Sequence, residues 1–131
     1  MTYQVSWLLQ DRIIYLLNTG VGTAEDVVNS TRDATVLLEQ SPPNVHMIVD
    51  GQTETNDISL GDLLTIIRTS PASPNLGWFI YVSESKMNRF FGSIASQVTG
   101  AKTKSFSTLS EAIEFLQRAD ITLPQEIPLP H

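Results

Sequence analysis

The side chains that could carry chemistry in this chain are mostly hydroxyls and carboxylates next to apolar stretches. The sequence has 131 residues, two histidines and no cysteine, which excludes thiol catalysis, disulfides and cysteine metal sites. His131 is the last residue, and His46 lies inside an apolar run, where we expect a structural histidine rather than a base. We therefore predict no catalytic residues, no metal site and no enzymatic activity.

Polar residues at the ends of predicted strands are the candidates for recognition. Parallel α/β sheets bind ligands beyond the carboxyl ends of their strands, and Asp50, Ser83 and Ser85 are predicted to lie at such loop tips. The run from Gly20 to Gly22 resembles the start of a dinucleotide fingerprint, but Glu25 replaces the third glycine and would repel a pyrophosphate. We predict no cofactor.

A phospho-receiver site is a less favoured alternative for the same residues. Asp50, Ser83 and a lysine at position 102 or 104 have the order that such a site needs. Its magnesium requires an acidic cluster after the first parallel strand, and Asn18-Thr19-Gly20 offers no carboxylate there. We interpret Asp50 as a turn-forming residue ahead of a glycine.

Composition and charge limit the class of protein. The chain is 41% hydrophobic and 17% charged, with a formal net charge of -6, which argues against nucleic-acid binding. Four basic residues, Lys86, Arg89, Lys102 and Lys104, occupy a stretch without acids, interpreted as a solvated surface. Since no leader pattern or run of about 18 apolar residues occurs, we expect a cytoplasmic protein without membrane insertion.

Strand and helix signals alternate along the chain. Tyr3 to Leu8 and Arg12 to Leu17 predict an opening hairpin, and residues 45–49, 76–82 and 102–106 predict three further strands. Turns are predicted at residues 18–22 and 50–53. Such alternation requires a mostly parallel sheet with crossover helices. We predict one α/β domain over residues 1–121 and a mobile proline-rich tail over residues 122–131.

Four helices connect and follow these strands. Three of them begin with capping boxes, in which a hydroxyl residue precedes an acid by three positions: Thr23 with Asp26, Ser59 with Asp62, and Thr108 with Glu111. The fourth follows Ser85. The sequence therefore predicts a mixed sheet of about five strands with four helices.

This order of elements resembles the STAS or SpoIIAA-like fold, the family of anti-sigma-factor antagonists and sulfate-transporter cytoplasmic domains. The resemblance covers residues 3–118, and Ser105 to Leu116 is similar to the family's usual last strand and Leu-x-x-Ala-rich helix. The family's signature is an Asp-Ser-Ser-Gly turn whose first serine accepts phosphate. Ile58 to Gly61 reads Ile-Ser-Leu-Gly, so Ser59 and Gly61 match, whereas the acid and the second serine do not.

Ser59 is the candidate phosphoacceptor that this resemblance implies. A phosphate at a helix N-terminus meets unpaired backbone amides and the positive end of the dipole. Asp57 and Asp62 would repel it, and a plain N-cap is the simpler role for Ser59.

The resemblance implies a non-catalytic protein-interaction or regulatory module. It would present the loop and helix start around Ser59 to a protein partner, and it leaves a homodimer open. The residues expected to bind the partner are Asp57, Ile58, Ser59, Leu60 and Gly61.

A small-molecule or lipid carrier is the alternative function. Trp78, Phe90 and Phe91 could line an apolar pocket. Aromatic residues at helical spacing are more often part of an ordinary core, so the interaction module remains the preferred prediction.

Overall fold

The computed structural model describes residues 2–22, 24–41, 44–56, 76–83 and 102–129. These residues form five strands and two helices. The strands are β1 (Thr2–Leu9), β2 (Ile13–Gly22), β3 (Val45–Asn56), β4 (Leu76–Val82) and β5 (Lys102–Phe106), and the helices are α1 (Ala24–Glu39) and α2 (Leu109–Ala119).

The strands form one sheet in the order β1-β2-β3-β4-β5. β1 is antiparallel to β2, and the other three pairings are parallel. The predicted mixed, mostly parallel α/β sheet of five strands is therefore confirmed. So are the two predicted helices that fall on described residues, whereas the helices predicted after Ser59 and Ser85 lie outside them.

β2 is apolar on both faces because a helix covers each face of the sheet. Ile13 and Tyr15 pack in the cluster that includes α2, and Ile14 and Leu16 pack in the cluster that includes α1. Successive side chains of a strand point to opposite faces. The unbroken apolar run in the sequence thus reflects a central strand buried on both sides.

The start of α2 is fixed by the predicted capping box. The Thr108 hydroxyl accepts a hydrogen bond from the Glu111 amide at 3.3 Å, and it donates to the Glu111 carboxylate at 3.0 Å. The Ser107 hydroxyl donates to the same carboxylate at 3.0 Å. These bonds satisfy an amide of the first turn, which would otherwise lack a partner.

The two predicted turns at residues 18–22 and 50–53 are wrong. Both segments continue their strands, with Thr19 paired to Thr53 and Gly22 paired to Asn56. Between Leu17 and Thr19 the register shifts, so β3 contains one residue more than β2 at this point. The parallel ladder and this bulge override a composition that is typical of turns.

The predicted mobile tail packs against the domain over its first residues. Leu123 is buried in the cluster beside α2, and Ile127 packs against the same cluster. The Gln117 side chain donates to the backbone carbonyls of Pro124 and Gln125 at 3.1 and 2.8 Å. Apolar contacts and backbone hydrogen bonds therefore join residues 123–127 to the domain, and the mobility of the tail stays a prediction.

Candidate functional site at the carboxyl end of the sheet

The predicted recognition residues lie in two groups. Asp50 and Ser83 are described by the structure. The segment Asp57 to Gly61, with the candidate phosphoacceptor Ser59, and the loop-tip residue Ser85 lie outside the described residues. Their roles stay predictions, and the neighbouring strands define the site.

Asp50 lies inside β3 rather than at a strand end. It pairs with Leu17 of β2 on one side and with Val82 of β4 on the other, and it is 4% exposed. The Tyr15 hydroxyl, which is also buried, donates a hydrogen bond to the Asp50 carboxylate. A carboxylate at such a position needs a hydrogen-bond donor, because burial removes its water.

The Asp50 carboxylate also affects Tyr15. Burial of the phenol raises the pKa of Tyr15 above its ordinary value, and the hydrogen bond and the negative charge of Asp50 raise it further. The phenol therefore stays protonated and acts as a donor across the neutral range. The pair stabilises the scaffold below the candidate site.

Sequence patterns could not identify this pair. Tyr15 belongs to an apolar run, and Asp50 precedes a glycine, which suggested a turn. The pairing of Tyr15 with Ile48, two residues before Asp50, brings the two side chains to the same face. Only the strand register reveals this proximity.

Ser83 directly follows β4 and is also buried, with 1% exposure. Its backbone amide donates to the Phe106 carbonyl at 3.0 Å. This bond ties the carboxyl ends of β4 and β5 together. Ser83 is therefore part of the supporting layer of this end of the sheet.

β2 and β3 extend past their neighbours at this end. The last pair between β3 and β4 is Asp50 with Val82, and the last pair between β2 and β1 is Thr19 with Thr2. Among the described residues, the end of β3 up to Asn56 pairs with β2 alone. These six residues correspond to about 20 Å of strand. The extended pair leads directly to Asp57.

Lys102 and Lys104, the lysines of the alternative phospho-receiver site, face aromatic rings. The Lys104 ammonium lies 5.0 Å from the centre of the Phe115 ring, and the Lys102 ammonium lies 5.9 Å from that of Trp78. Both contacts are cation–π interactions on the surface of the α2 layer. They give these lysines a structural role that does not involve Asp50.

Trp78, the described member of the predicted apolar pocket, packs against α2. Its ring meets the Phe115 ring edge to face at 4.9 Å, and Phe115 also contacts Phe106 at 5.4 Å. These rings form part of the core cluster. Phe90 and Phe91 lie outside the described residues. The observed contacts of Trp78 do not support a carrier function.

A second polar cluster lies at the opposite end of the sheet, where the parallel strands begin. The His46 Nε2 atom lies 2.9 Å from an Asp120 carboxylate oxygen, and the same oxygen accepts a hydrogen bond from Arg12 at 3.0 Å. Thr122 donates to the other oxygen from its amide at 3.0 Å and from its hydroxyl at 2.5 Å. We call His46, Asp120, Arg12 and Thr122 the amino-end cluster.

Both ring nitrogens of His46 have partners. The Trp78 amide donates to Nδ1 at 3.0 Å, so Nδ1 is an acceptor and Nε2 carries the proton given to Asp120. The register shift between Val45 and Met47 places one extra residue in β4, and His46 accepts the displaced Trp78 amide. The prediction of a structural histidine is confirmed.

Asp120 is held as a carboxylate by its donors. Burial alone raises the pKa of Asp120, but hydrogen bonds from Thr122 and His46 outweigh it and hold that pKa well below its ordinary value. Arg12 also bonds the Thr122 hydroxyl at 2.6 Å. Sequence patterns could not identify this cluster, because His46 and Asp120 are 74 residues apart.

The described part of the chain contains no helix that is long and apolar enough to cross a membrane. Within the same residues, no group of three or more His, Cys, Asp or Glu side chains is placed to hold a metal ion.

Comparisons with known proteins show the fold. No family model matches the sequence, and no curated protein matches it significantly. A solved structure that is similar to it is the crystal structure of an uncharacterized protein of the DUF3478 family, with a SpoIIAA-like fold, from Shewanella loihica PV-4. The TM-score is 0.61 at 16% identity, and the alignment covers 88% of this chain and 92% of that chain. The resemblance seen in the sequence is thereby confirmed: this chain has a SpoIIAA-like fold.

Proposed function

We propose that this protein is a non-catalytic interaction or regulatory module that presents the segment Asp57 to Gly61 to a protein partner. The observation that carries the proposal is the extension of β2 and β3 beyond the rest of the described sheet. This extension starts the segment about 20 Å past the last residue of β3 that pairs with β4.

The amino-end cluster supports a non-catalytic function. Acid–base catalysis needs a group that can exchange a proton with a substrate. Both nitrogens of His46 are engaged by the protein, and Asp120 accepts hydrogen bonds from three residues. These groups tie the chain after α2 to the sheet, so their contacts serve the fold.

The buried pair of Tyr15 and Asp50 supports the same function at the other end. Its members are 6% and 4% exposed, and the hydrogen bond between them braces β2 and β3 where their extension begins. A braced base fixes the strand pair up to Asn56, and a fixed strand pair lowers the entropy that binding at this end costs.

The direct test uses a variant in which Ile58, Ser59 and Leu60 are all replaced by alanine. A partner captured from an extract of the source cells is purified, and its Kd is measured by calorimetry with each form of the protein. We expect the triple variant to bind about tenfold more weakly or worse, as is usual when central interface residues are truncated. Its thermal melt should remain close to that of the wild type.

The matched control is Ile121→Ala, which removes a large apolar side chain that is 89% exposed at the opposite end of the sheet. This variant should bind the partner with the wild-type Kd. Equal affinity for the triple variant and the wild type would contradict the proposed site. Loss of the folded state in the triple variant would assign the three residues to structure instead.

Ser59 is proposed as the position at which phosphorylation would regulate this binding. The wild-type protein, incubated with cell extract and ATP, should gain one phosphate by intact-mass measurement, and Ser59→Ala should not. A phosphate that persists in Ser59→Ala would move the modification elsewhere. An unmodified wild-type protein would leave Ser59 with the role of an N-cap.

A further inference from the structure

The two edges of the sheet differ in length and charge. β5, at one edge, has five residues, and its lysines Lys102 and Lys104 are both exposed. β1, at the other edge, has eight residues with the sequence TYQVSWLL and no charge. Among the described residues, no strand pairs with the outer side of β1. Lysines protect an edge strand from pairing with another chain, and β1 lacks this protection.

The side chains of β1 alternate between a partly buried and an exposed face. Tyr3, Val5 and Trp7 are partly buried, and Gln4 and Ser6, on the other face, are exposed. This alternation is that of a regular strand, with one set of side chains on each face. Such a strand is a template for another strand.

α1 contributes an apolar side chain on the same side of the molecule. The Tyr3 hydroxyl donates to the Asp33 carboxylate at 3.2 Å, which shows that Asp33 faces the β1 side of the helix. Val36 follows it by three residues, so the two share a helix face. Val36 is 48% exposed. The β1 edge therefore has an exposed apolar residue in the layer above it.

We infer that β1 pairs antiparallel with β1 of a second copy of this chain, with Val5 at the two-fold axis. In this arrangement Gln4 lies opposite Ser6 of the second copy, and Tyr3 lies opposite Trp7 of the second copy. An amide then meets a hydroxyl on the wet face, and two aromatic rings meet on the α1 face. Cross-strand pairs of these kinds are favourable. The two sheets become one continuous sheet.

Charge and symmetry favour a second copy as the occupant. Each chain carries a net charge of -6, and this like charge opposes the association of two copies. β1 itself is uncharged, so the strand-to-strand contact opposes no like charges, and the nearby Asp33 carboxylate accepts a hydrogen bond from Tyr3. Antiparallel pairing of identical strands forms a closed two-fold contact, and it brings the exposed Val36 residues of both copies to the same side.

The test replaces Gln4 and Ser6, which are opposite each other across the inferred interface. The variant Q4K/S6K places lysine opposite lysine at both symmetric positions, whereas Q4K/S6E places lysine opposite glutamate. Both positions are exposed, so neither variant removes a buried contact. Sedimentation equilibrium over a concentration series gives the mass and the dimer Kd of each form.

We expect the wild type to approach twice its monomer mass of 14.5 kDa at high concentration. The Kd of Q4K/S6K should exceed that of Q4K/S6E by about tenfold or more, and high salt should reduce this difference. A wild type that stays monomeric at all concentrations overturns the inference and leaves the edge to a strand of another protein. A dimer with the same Kd in both variants also overturns it, because the contact must then lie elsewhere. Neither result bears on the Asp57 to Gly61 site.

Discussion

The two ends of the sheet each contain a shielded carboxylate, but the carboxylates are stabilised differently. Asp120, at the amino end, is paired with Arg12 and hydrogen-bonded by His46 and Thr122. Asp50, at the carboxyl half, is buried beside the phenol of Tyr15. Cationic and neutral donors together hold the Asp120 carboxylate in one orientation. Asp50 lies within the sheet, so its geometry follows the strand register.

The two ends of the sheet also differ in whether the chain closes them or extends beyond them. The amino-end cluster joins residues from β3, the hairpin turn and the chain after α2, so it closes that end of the molecule. The carboxyl end instead continues into the extended β2 and β3 pair. The closed amino end and the extended carboxyl end support the proposal that a segment is presented at the extended end.

The largest expected effect comes from His46→Ala, which breaks the amino-end cluster. It removes the acceptor of the partly buried Trp78 amide and a donor to Asp120. An unsatisfied buried group costs about 1–3 kcal/mol, and the lost imidazole volume adds a cavity. We expect the free energy of unfolding to fall by about 3 kcal/mol in total. Urea denaturation measures it, with the exposed Leu129→Ala as the control, and an unchanged value for His46→Ala would refute the structural role.

Gly77→Ala tests the same cluster without removing a hydrogen-bonding group. A Cβ atom at Gly77 would lie 2.7 Å from Nδ1 and 2.8 Å from Cε1 of His46, so the ring must move. Overpacking of this kind costs about 1–3 kcal/mol. The melting temperature should fall in Gly77→Ala. In the double variant with His46→Ala, it should fall by much less than the sum of the two single effects. Additive effects would show that the contact is not made.

Tyr15→Phe tests the pair at the carboxyl half. The change removes one hydroxyl and leaves the buried Asp50 without that donor, which should lower the free energy of unfolding by about 1–3 kcal/mol. Chemical denaturation of Tyr15→Phe, Asp50→Asn and the double variant gives the coupling energy of the pair. A coupling within about 0.3–0.5 kcal/mol of zero would mean that the two side chains act independently.

Acid should weaken the amino end through Asp120. Its pKa is lower in the folded protein than in the unfolded chain, because donors stabilise the carboxylate. The resulting stability is fully present above the ordinary pKa of aspartate, about 4, and is lost as pH falls towards the lower folded value. Urea unfolding between neutral pH and pH of about 2 measures this loss. Asp120→Asn should show a smaller acid slope, and an unaltered slope would exclude Asp120 as its source.

Thr108→Ala has the smallest expected effect, because it removes only the N-cap of α2. Loss of a threonine cap costs about 1 kcal/mol. Denaturation should detect this decrease, while Thr108→Ser, which keeps the hydroxyl, should remain near the wild type. An alanine variant as stable as the wild type would show that Ser107 and Glu111 cap the helix without Thr108.

Local signals in the sequence predicted the elements whose determinants are local. The capping box of Thr108 and Glu111 fixed the start of α2, and the alternation of β1 predicted one exposed face. The apolar run of β2 predicted burial on both faces. These features depend on neighbours within a few residues, so periodicity and capping rules apply to them directly.

Features that depend on strand register could not be predicted. The extension of β2 and β3 consists of residues typical of turns, and it becomes strand only through pairing across the bulge after Leu17. The contact of Tyr15 with Asp50, and that of His46 with Asp120, join residues far apart in the chain. Sequence patterns give the faces of each strand but not the alignment between strands.

The most direct test of the proposed function is the Kd of the purified partner for the wild type, for the Ile58, Ser59 and Leu60 triple alanine variant, and for Ile121→Ala. We predict that the triple variant binds about tenfold more weakly or worse, with an unchanged melt, while Ile121→Ala keeps the wild-type Kd. Equal Kd values for the wild type and the triple variant, or weaker binding only in Ile121→Ala, would contradict a binding site at the carboxyl end of the sheet.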